Sequence, residues 1–108
     1  MTIQSQLLKG VLEGSILAIV KQEPTYGYEL ALKLHKHGLD VSEGSIYPIL
    51  LRLQKEKLIT SERRPSPSGP SRKYYMLTDL GEESLATFKV SWQQLEHSVD
   101  SILKGGDA

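Results

Sequence analysis

Basic side chains are concentrated in the middle of this 108-residue chain. Residues 42–78 contain seven Lys or Arg and three acids, which gives this stretch a net charge of +4. Residues 79–108 contain two bases and six acids, for −4, and residues 1–41 balance at four and four. The formal net charge of zero therefore conceals a basic pole. Lys and Arg neutralise phosphates, so this pole predicts binding of a polyanion such as a nucleic acid.

Small and polar residues precede the first of these cations. Ser42 can cap a helix, because its hydroxyl accepts a hydrogen bond from a free backbone N–H in the first turn. Apolar residues follow at helical spacing, which predicts a side that faces the core. They are Ile46, Ile49, Leu50 and Leu53. The other side is small at its start and cationic further on, as a helix lying against a polyanion requires. Its residues are Gly44, Ser45, Pro48, Arg52 and Lys55.

A two-stranded hairpin is predicted after this helix. Residues 58–64 and 72–78 are rich in Ile, Thr, Tyr and Leu, and three prolines lie between them. Proline cannot donate a ladder hydrogen bond, so we expect pairing to stop near Arg64 and resume near Arg72. The cations at the neck of the projecting loop are then Arg63, Arg64, Arg72 and Lys73.

Two predicted helices precede this unit. A wide apolar stripe on residues 3–22 predicts the first helix, and Pro24 ends that segment. Thr25 is a suitable N-cap for a second helix that closes near Gly38. Only four residues then lead to Ser42, which predicts a helix-turn-helix. With the hairpin added, the predicted fold is mainly α with a small β-hairpin, a winged helix-turn-helix.

The C-terminal segment predicts another helix, capped by Thr78 or Asp79. Its apolar residues are separated by three, four, three, four and three positions, the a/d spacing of a coiled coil. They are Leu85, Phe88, Trp92, Leu95, Val99 and Ile102. A single winged helix leaves such a seam in water, so we expect a homodimer through this helix and the first one, with Leu8 and Leu12 included.

The expected organisation follows from these elements. We predict a winged-helix domain at residues 1–78, a C-terminal dimerisation helix at 79–104 and a frayed tail at 105–108.

Several classes of protein find no support. The chain has no cysteine and no apolar run near the ~18 residues of a spanning helix, so we expect a cytoplasmic protein without disulfides or a membrane partner. No nucleophile, base and orienting group form a set, and no phosphate-cradling glycine loop occurs, so neither an enzyme nor a cofactor is predicted. His35 and His37 point in different directions at a helix end, and we expect no metal site.

Four stretches together resemble a known family. They are LLKGVLEGSILAIV at 7–20, TYGYEL at 25–30, SEGSIYPILLRLQKEKLI at 42–59 and RKYYMLTDLGEE at 72–83. In this order and spacing they resemble the PadR family of bacterial transcriptional repressors. The resemblance implies a winged helix dimerised through its first and last helices, with the third helix in the major groove and the wing on the backbone or minor groove.

The same resemblance implies roles for single residues. By matched position, the residues that face DNA are Tyr26, Ser42, Gly44, Ser45, Tyr47 and the wing cations. The wing tip, PSPSGP, departs from the family's usual glycine-rich loop. A single C-terminal helix is similar to the short, LmrR-like branch, in which a tryptophan lies at the dimer centre. This likeness implies a planar aromatic ligand there, and the candidate contacts are Phe88, Trp92, Glu96 and Asp100.

Plainer alternatives stand beside these interpretations. Trp92 is first a dimer-core residue and second a ligand contact. We expect Tyr26 and Tyr47 to contact DNA, and Tyr28 and Tyr75 to lie in the core. The function favoured is a sequence-specific DNA-binding regulator, a repressor that binds a pseudo-palindromic operator as a homodimer and is released by such a ligand. The alternative is a winged-helix module that binds an acidic protein and has no DNA target.

Overall fold

Four helices and a three-stranded antiparallel sheet make up residues 3–105, which the computed structural model describes, with side chains from residue 7 onward. In chain order the elements are α1 (Ile3–Gln22), β1 (Thr25–Tyr26), α2 (Gly27–Lys36), α3 (Glu43–Lys55), β2 (Ile59–Ser66), β3 (Gly69–Leu77) and α4 (Asp79–Leu103). The predicted fold class is confirmed: a winged helix-turn-helix with an additional C-terminal helix. Three residues of the expected frayed tail, 106–108, lie outside the described residues.

The core forms where α1, α2 and α3 meet the inner face of the sheet. Helix α3 contributes Ile46, Leu50 and Leu53, each at most 1% exposed. These side chains belong to one cluster with the buried residues of α1 and α2 and with Ile59 and Tyr75 of the sheet. Burial of this kind contributes about 1.5–3 kcal/mol for each large apolar side chain. The apolar side of α3 is therefore fixed, and its opposite side faces solvent.

Local signals set the helix ends, with one exception. The Ser42 hydroxyl accepts from the backbone N–H of Ser45 at 3.3 Å, as predicted. Helix α2 ends as predicted before Gly38, whose φ of +89° suits a residue without a side chain. The prediction for Thr25 was wrong. Thr25 is fully buried in β1, pairs with Tyr75 and donates its hydroxyl to the carbonyl of Glu23 at 2.8 Å.

The sheet is larger than the hairpin predicted from the sequence. Strand β1 pairs with β3, which gives the order β1-β3-β2. Pairing of β2 with β3 continues to Ser66 and Gly69 rather than stopping near Arg64 and Arg72. The register shifts between Arg64 and Ser66, where Pro65 is accommodated. A local irregularity of this kind removes the need for a ladder donor, so proline does not end the hairpin.

Thr78 joins the wing, the end of α3 and the start of α4. Its hydroxyl donates to the carbonyl of Lys57 at 2.7 Å and accepts from the backbone N–H of Gly81 at 3.0 Å, and its own N–H donates to the carbonyl of Leu58 at 3.1 Å. A side chain at Gly81 would overlap that Leu58 carbonyl oxygen. The first turn of α4 is therefore held against the turn that ends α3.

Helices α1 and α4 pack antiparallel to each other. At one end Lys21 and Glu82 form an ion pair at 3.5 Å, and further along the ring of Phe88 lies where a side chain at Gly14 would otherwise be. This packing changes the picture of the predicted dimer seam, because part of it is already covered within the protomer. The covered residues are Leu8, Leu12 and Leu85, which are buried, and Phe88, which is partly buried.

Within residues 3–105, no helix combines the length and the apolar character needed to cross a membrane.

Candidate nucleic-acid interface

The N-terminal half of α3 presents the predicted recognition surface. Ser42, Gly44, Ser45 and Tyr47 are all exposed, while Ile46 between them is completely buried. The cap at Ser42 includes a contact of 2.8 Å between the hydroxyls of Ser42 and Ser45. The first turn of α3 therefore offers small polar groups to a partner without exposing the core.

Tyr47 is placed by two contacts that the sequence did not suggest. Its hydroxyl donates to the Glu43 carboxylate at 2.6 Å, and this hydrogen bond raises the pKa of Tyr47 to about 12. The ring packs over Gly27, where an added Cβ would lie 2.6 Å from the hydroxyl oxygen. The hydroxyl proton is therefore committed to Glu43. Glu43 was not among the predicted site residues. Residues four apart on a helix lie on one side of it, so the spacing of Glu43 and Tyr47 was a signal that could have predicted their contact.

The two cations near the end of α3 differ in their surroundings. Arg52 donates to the Glu13 carboxylate of α1 at 2.6 Å, so its guanidinium is tied to the first helix. Lys55 is exposed one turn later. Between them, Gln54 donates to the Ser61 hydroxyl at 2.9 Å and links α3 to β2. Of the predicted pair, Lys55 is the cation without a carboxylate partner among the ion pairs found in the described residues.

The strand register sorts the four wing cations into two pairs. Arg63 lies opposite Lys73, and Arg64 lies opposite Arg72. Successive residues of a strand point to opposite faces, so the two pairs occupy different faces of the hairpin. Like charges directly opposite each other destabilise a sheet. The wing neck therefore places like charges opposite each other at two adjacent positions.

Tyrosine rings stack against Arg64 and Arg72, the pair on the outward face of the wing, which is the face opposite buried Tyr75. The Arg72 guanidinium lies 4.5 Å from the ring centre of Tyr26, and that of Arg64 lies 5.0 Å from the ring centre of Tyr74. The two rings meet edge to face at 5.4 Å. Glu62 accepts from Arg64 at 2.7 Å. Stacking of this kind orders an arginine through its planar face and does not use its N–H donors, although Nε of Arg64 already donates to Glu62.

The remaining tyrosines divide differently from the prediction. Tyr75 is buried as expected, and burial raises the pKa of its hydroxyl. Lys73 lies over its ring at 5.6 Å. Tyr28 was expected in the core but is 53% exposed. The reason is that Gly27, Leu30 and Leu34 form the buried side of α2, and Tyr28 falls outside that side.

The contacts place two parts of the predicted interface side by side. Tyr26, at the base of the wing, precedes Gly27, on which Tyr47 of α3 packs. The start of α3 and the outward face of the wing therefore share the start of α2 as a common support. Arg52 is held on the α1 side instead.

A separate groove lies between α1 and the second half of α4. Its volume is about 430 Å³, and its walls are almost entirely apolar. The residues that line it include Leu7, Val11, Trp92, Leu95, Glu96, Val99 and Asp100. Three of the four predicted ligand contacts therefore meet in one place. Phe88 is not among the lining residues, because it packs over Gly14 in a different cleft.

The histidines do not form a metal site with neighbouring acids in the described part of the chain, where no group of three His, Cys, Asp or Glu could hold an ion. His35 Nδ1 lies 3.7 Å from an Asp40 oxygen, and both side chains are exposed.

Comparison with known proteins identifies the family. The model of the transcriptional regulator PadR-like family matches residues 16–87, which include the helix-turn-helix, the wing and the start of α4. The chain belongs to the PadR family. PadR regulators bind DNA, so the basic surface described above belongs to a DNA-binding transcriptional regulator.

Solved PadR structures share both the fold and much of the sequence. A PadR-like transcriptional regulator from Bacillus cereus is 58% identical, with a TM-score of 0.85, over 93% of this chain and 98% of that one. A Streptococcus transcriptional regulator is 46% identical, with a TM-score of 0.81, over 90% and 96% of the two chains. A transcriptional regulator of Mycobacterium tuberculosis is 32% identical over 78% of each chain. All three relatives are transcriptional regulators.

The like-charged pairs generate the first prediction. Replacing Arg63 by Glu should raise the free energy of unfolding by about 0.2–1 kcal/mol, because a repulsive cross-strand pair with Lys73 becomes attractive. The gain should shrink in high salt, since exposed charges are screened. Thermal unfolding at low and high salt measures this effect. Arg63→Gln, which only removes repulsion, is the matched control and should fall between the two. Equal stability of all three proteins at low salt would show that the pairs do not repel appreciably.

Proposed function

We propose that this PadR-family regulator is a cytoplasmic, non-enzymatic repressor that binds a pseudo-palindromic operator as a homodimer. The observation that supports it most directly is the pairing of Arg63 with Lys73 and of Arg64 with Arg72 across the wing. Four cations meet at the wing neck and only Arg64 has a carboxylate partner among the ion pairs of the described residues, so a polyanion would neutralise the remaining charge on binding. Phosphates of duplex DNA provide that charge at regular spacing.

The proposed DNA contacts follow the two supported surfaces. The start of α3, with Ser42, Gly44, Ser45 and Tyr47, would enter the major groove. The wing cations would bind phosphates, with Tyr26 stacked under Arg72. Lys55 would add a phosphate contact, and Arg52 would do so only by exchanging Glu13 for a phosphate. Base contacts in the groove give sequence preference, whereas phosphate contacts position the protein.

Dimerisation is proposed because the apolar side chains in the second half of α4 are exposed among the residues whose side chains the structure describes. Trp92, Leu95, Val99 and Ile102 are 41%, 57%, 45% and 75% exposed and lie along the coiled-coil seam. Leu7 of α1, 69% exposed, lines the same groove as three of them. An exposed apolar surface of this kind marks an interaction site. Two protomers related by a two-fold axis would bury this surface of each against that of the other. The recognition helices of the dimer would then lie about one DNA turn, roughly 34 Å, apart.

Ligand control is the finer part of this proposal. The residues that line the groove between α1 and α4 include Trp92, Glu96 and Asp100, and the Asp100 carboxylate is also paired with Lys104 at 2.8 Å. A planar aromatic cation fits this chemistry, because the indole face attracts a cation and the acids offset its charge. If the dimer seam sets the distance between recognition helices, a ligand that prefers another distance would weaken DNA binding by its differential affinity.

The DNA-binding proposal is tested by the salt dependence of binding. The probe is a duplex from the control region of the protein's own gene, with a random duplex for comparison. Arg72→Gln should weaken binding to both, and the slope of log affinity against log salt should fall by about one per protomer, because one phosphate contact is lost. Lys89→Gln on the exposed α4 surface is the matched control and should behave as the wild type. Wild-type binding without a salt slope would contradict phosphate neutralisation, and binding of an acidic protein instead would favour the alternative module.

The dimer is tested by sedimentation. Leu95→Lys and Val99→Lys would place charges in the proposed seam and should weaken self-association at least tenfold, or by about 1.4 kcal/mol. Val90→Lys is the control, because Val90 is equally exposed on α4 but lies off the seam. A folded wild-type monomer at micromolar concentration would disprove the proposed assembly.

Ligand binding is tested by the fluorescence of Trp92, the single tryptophan in the chain. A planar cationic dye should quench it saturably and lower the affinity for the duplex. Glu96→Gln should weaken the dye's binding several-fold while the dimer persists. Trp92→Ala, once shown to be dimeric, should lose binding measured from the dye side. Equal dye binding by Trp92→Ala and the wild type would remove the groove as a ligand site and leave the DNA-binding proposal unaffected.

A further inference from the structure

Glu43 is an acid within a surface that is proposed to approach a polyanion. It is the first residue of α3, directly after the cap Ser42 and before Gly44 and Ser45. Its side chain is half-buried, and its neighbours in this turn are exposed. A carboxylate here repels phosphates, so it cannot contribute to non-specific binding. If this carboxylate contacts a duplex, its partner must be a hydrogen-bond donor, and the donors of a duplex lie on the base edges and not on the phosphates.

The Glu43 carboxylate has a fixed position. Tyr47 donates its hydroxyl to Oε2 at 2.6 Å, and the Tyr47 ring is itself held over Gly27. The contact connects positions four apart, so carboxylate and phenol lie on one side of α3. A carboxylate has about four acceptor positions on its two oxygens, and one bond from Tyr47 leaves most of that capacity for a partner. The result is an ordered acceptor at the tip of the helix.

Donors in the major groove are exocyclic amino groups. Cytosine presents N4 and adenine presents N6, and a carboxylate accepts from such a group without a bidentate match. We propose that Glu43 is a specificity-determining residue of α3, whose carboxylate, positioned by Tyr47, accepts a hydrogen bond from the amino group of a cytosine or adenine in each half-site. This inference rests on the proposed binding of α3 in the major groove and adds a residue and a base class to it.

A purely structural role makes a different prediction. An acid in the first turn of a helix interacts favourably with the positive end of the helix dipole. Asp79 holds the same position in α4, as the first residue after the cap Thr78, and provides the matched comparison. If Glu43 only stabilised its helix, replacing either acid would lower stability and leave base preference unchanged.

The test compares base preferences of four purified proteins. Wild type, Glu43→Ala, Tyr47→Phe and Asp79→Asn are each equilibrated with a pool of random duplexes, and the bound fraction is sequenced. The preferred wild-type duplex is then made with each of the four base pairs at every position, and dissociation constants are measured. Thermal unfolding confirms that every variant is folded.

For the wild type, one symmetric pair of positions should prefer a cytosine or an adenine by about 5- to 100-fold, and the base found distinguishes the two sources. Glu43→Ala should reduce that preference to less than threefold, keep the preferences at other positions and bind random duplex more tightly, because a repulsive charge is gone. Tyr47→Phe retains the ring over Gly27 but releases the carboxylate, so it should reduce the same preference several-fold. Asp79→Asn should match the wild type.

Two failures remain distinguishable. A wild-type protein that enriches no motif would overturn the proposed sequence-specific binding itself. A wild type that enriches a motif, with every base preference retained in Glu43→Ala, would overturn the role of Glu43 alone. Loss of the base preference in Glu43→Ala but not in Tyr47→Phe would overturn the positioning role of Tyr47. A weaker base preference at the same operator position in Asp79→Asn would show that any lost carboxylate has this effect, and it would overturn base recognition by Glu43.

Discussion

The joint at Thr78, together with the packing of α4 on α1, sets the orientation of α4 relative to the winged helix. The Thr78 hydroxyl donates to the carbonyl of Lys57, just after α3, and accepts from the backbone N–H of Gly81 in the first turn of α4. Gly81 has no side chain, so this turn can lie directly against the Leu58 carbonyl. A hydrogen bond of this kind contributes only about 0.5–1.5 kcal/mol. Its geometrical effect is larger, because α4 extends 25 residues from this point. A small rotation at the joint becomes a large displacement at Trp92.

The wing and α3 solve different physical problems at the same surface. The wing uses cations that lie opposite one another across its strands, and tyrosine rings order Arg64 and Arg72. The start of α3 uses short polar groups and one tethered carboxylate. Charge brings a polyanion close and is insensitive to sequence, whereas groups of defined position distinguish base edges. The contact of Tyr47 with Gly27, next to Tyr26, fixes the two surfaces relative to each other.

Local signals predicted most of the fold. Caps and breakers at Ser42, Gly38 and Thr78 act within a few residues, so their effects are readable from the sequence. Strand β1 was missed because two residues carry no periodicity and their partner in β3 is about 50 positions away. Thr25 has the chemistry of a cap, and only the tertiary fold places it in a buried strand. Lys57, with a φ of +63° at the end of α3, gave no signal because glycine usually occupies such a position.

Composition predicted where the candidate site lies in the chain, but not which of its side chains contact each other. Clustering of cations located the wing, but only the register reveals which cations face each other. The ion pair of Arg52 with Glu13 joins residues 39 apart, beyond any local pattern. Heptad spacing located the seam of α4, but it does not indicate where the protomer's own core ends. Leu85 and Phe88 continue the same spacing as Trp92 and are nevertheless covered within the protomer.

One side of α3 packs in the core and the other side faces solvent, so the two sides can change independently during evolution. Ile46, Leu50 and Leu53 hold the helix in the core, while Gly44 and Ser45 face outward, Gly44 into open space and Ser45 with its hydroxyl against that of Ser42. Surface substitutions away from special contacts typically change stability by no more than about 0.5 kcal/mol. After gene duplication, a copy could therefore exchange its outward residues and acquire a new target while its fold remained intact. The constraint on such divergence falls on Tyr47, because its ring is fitted to Gly27.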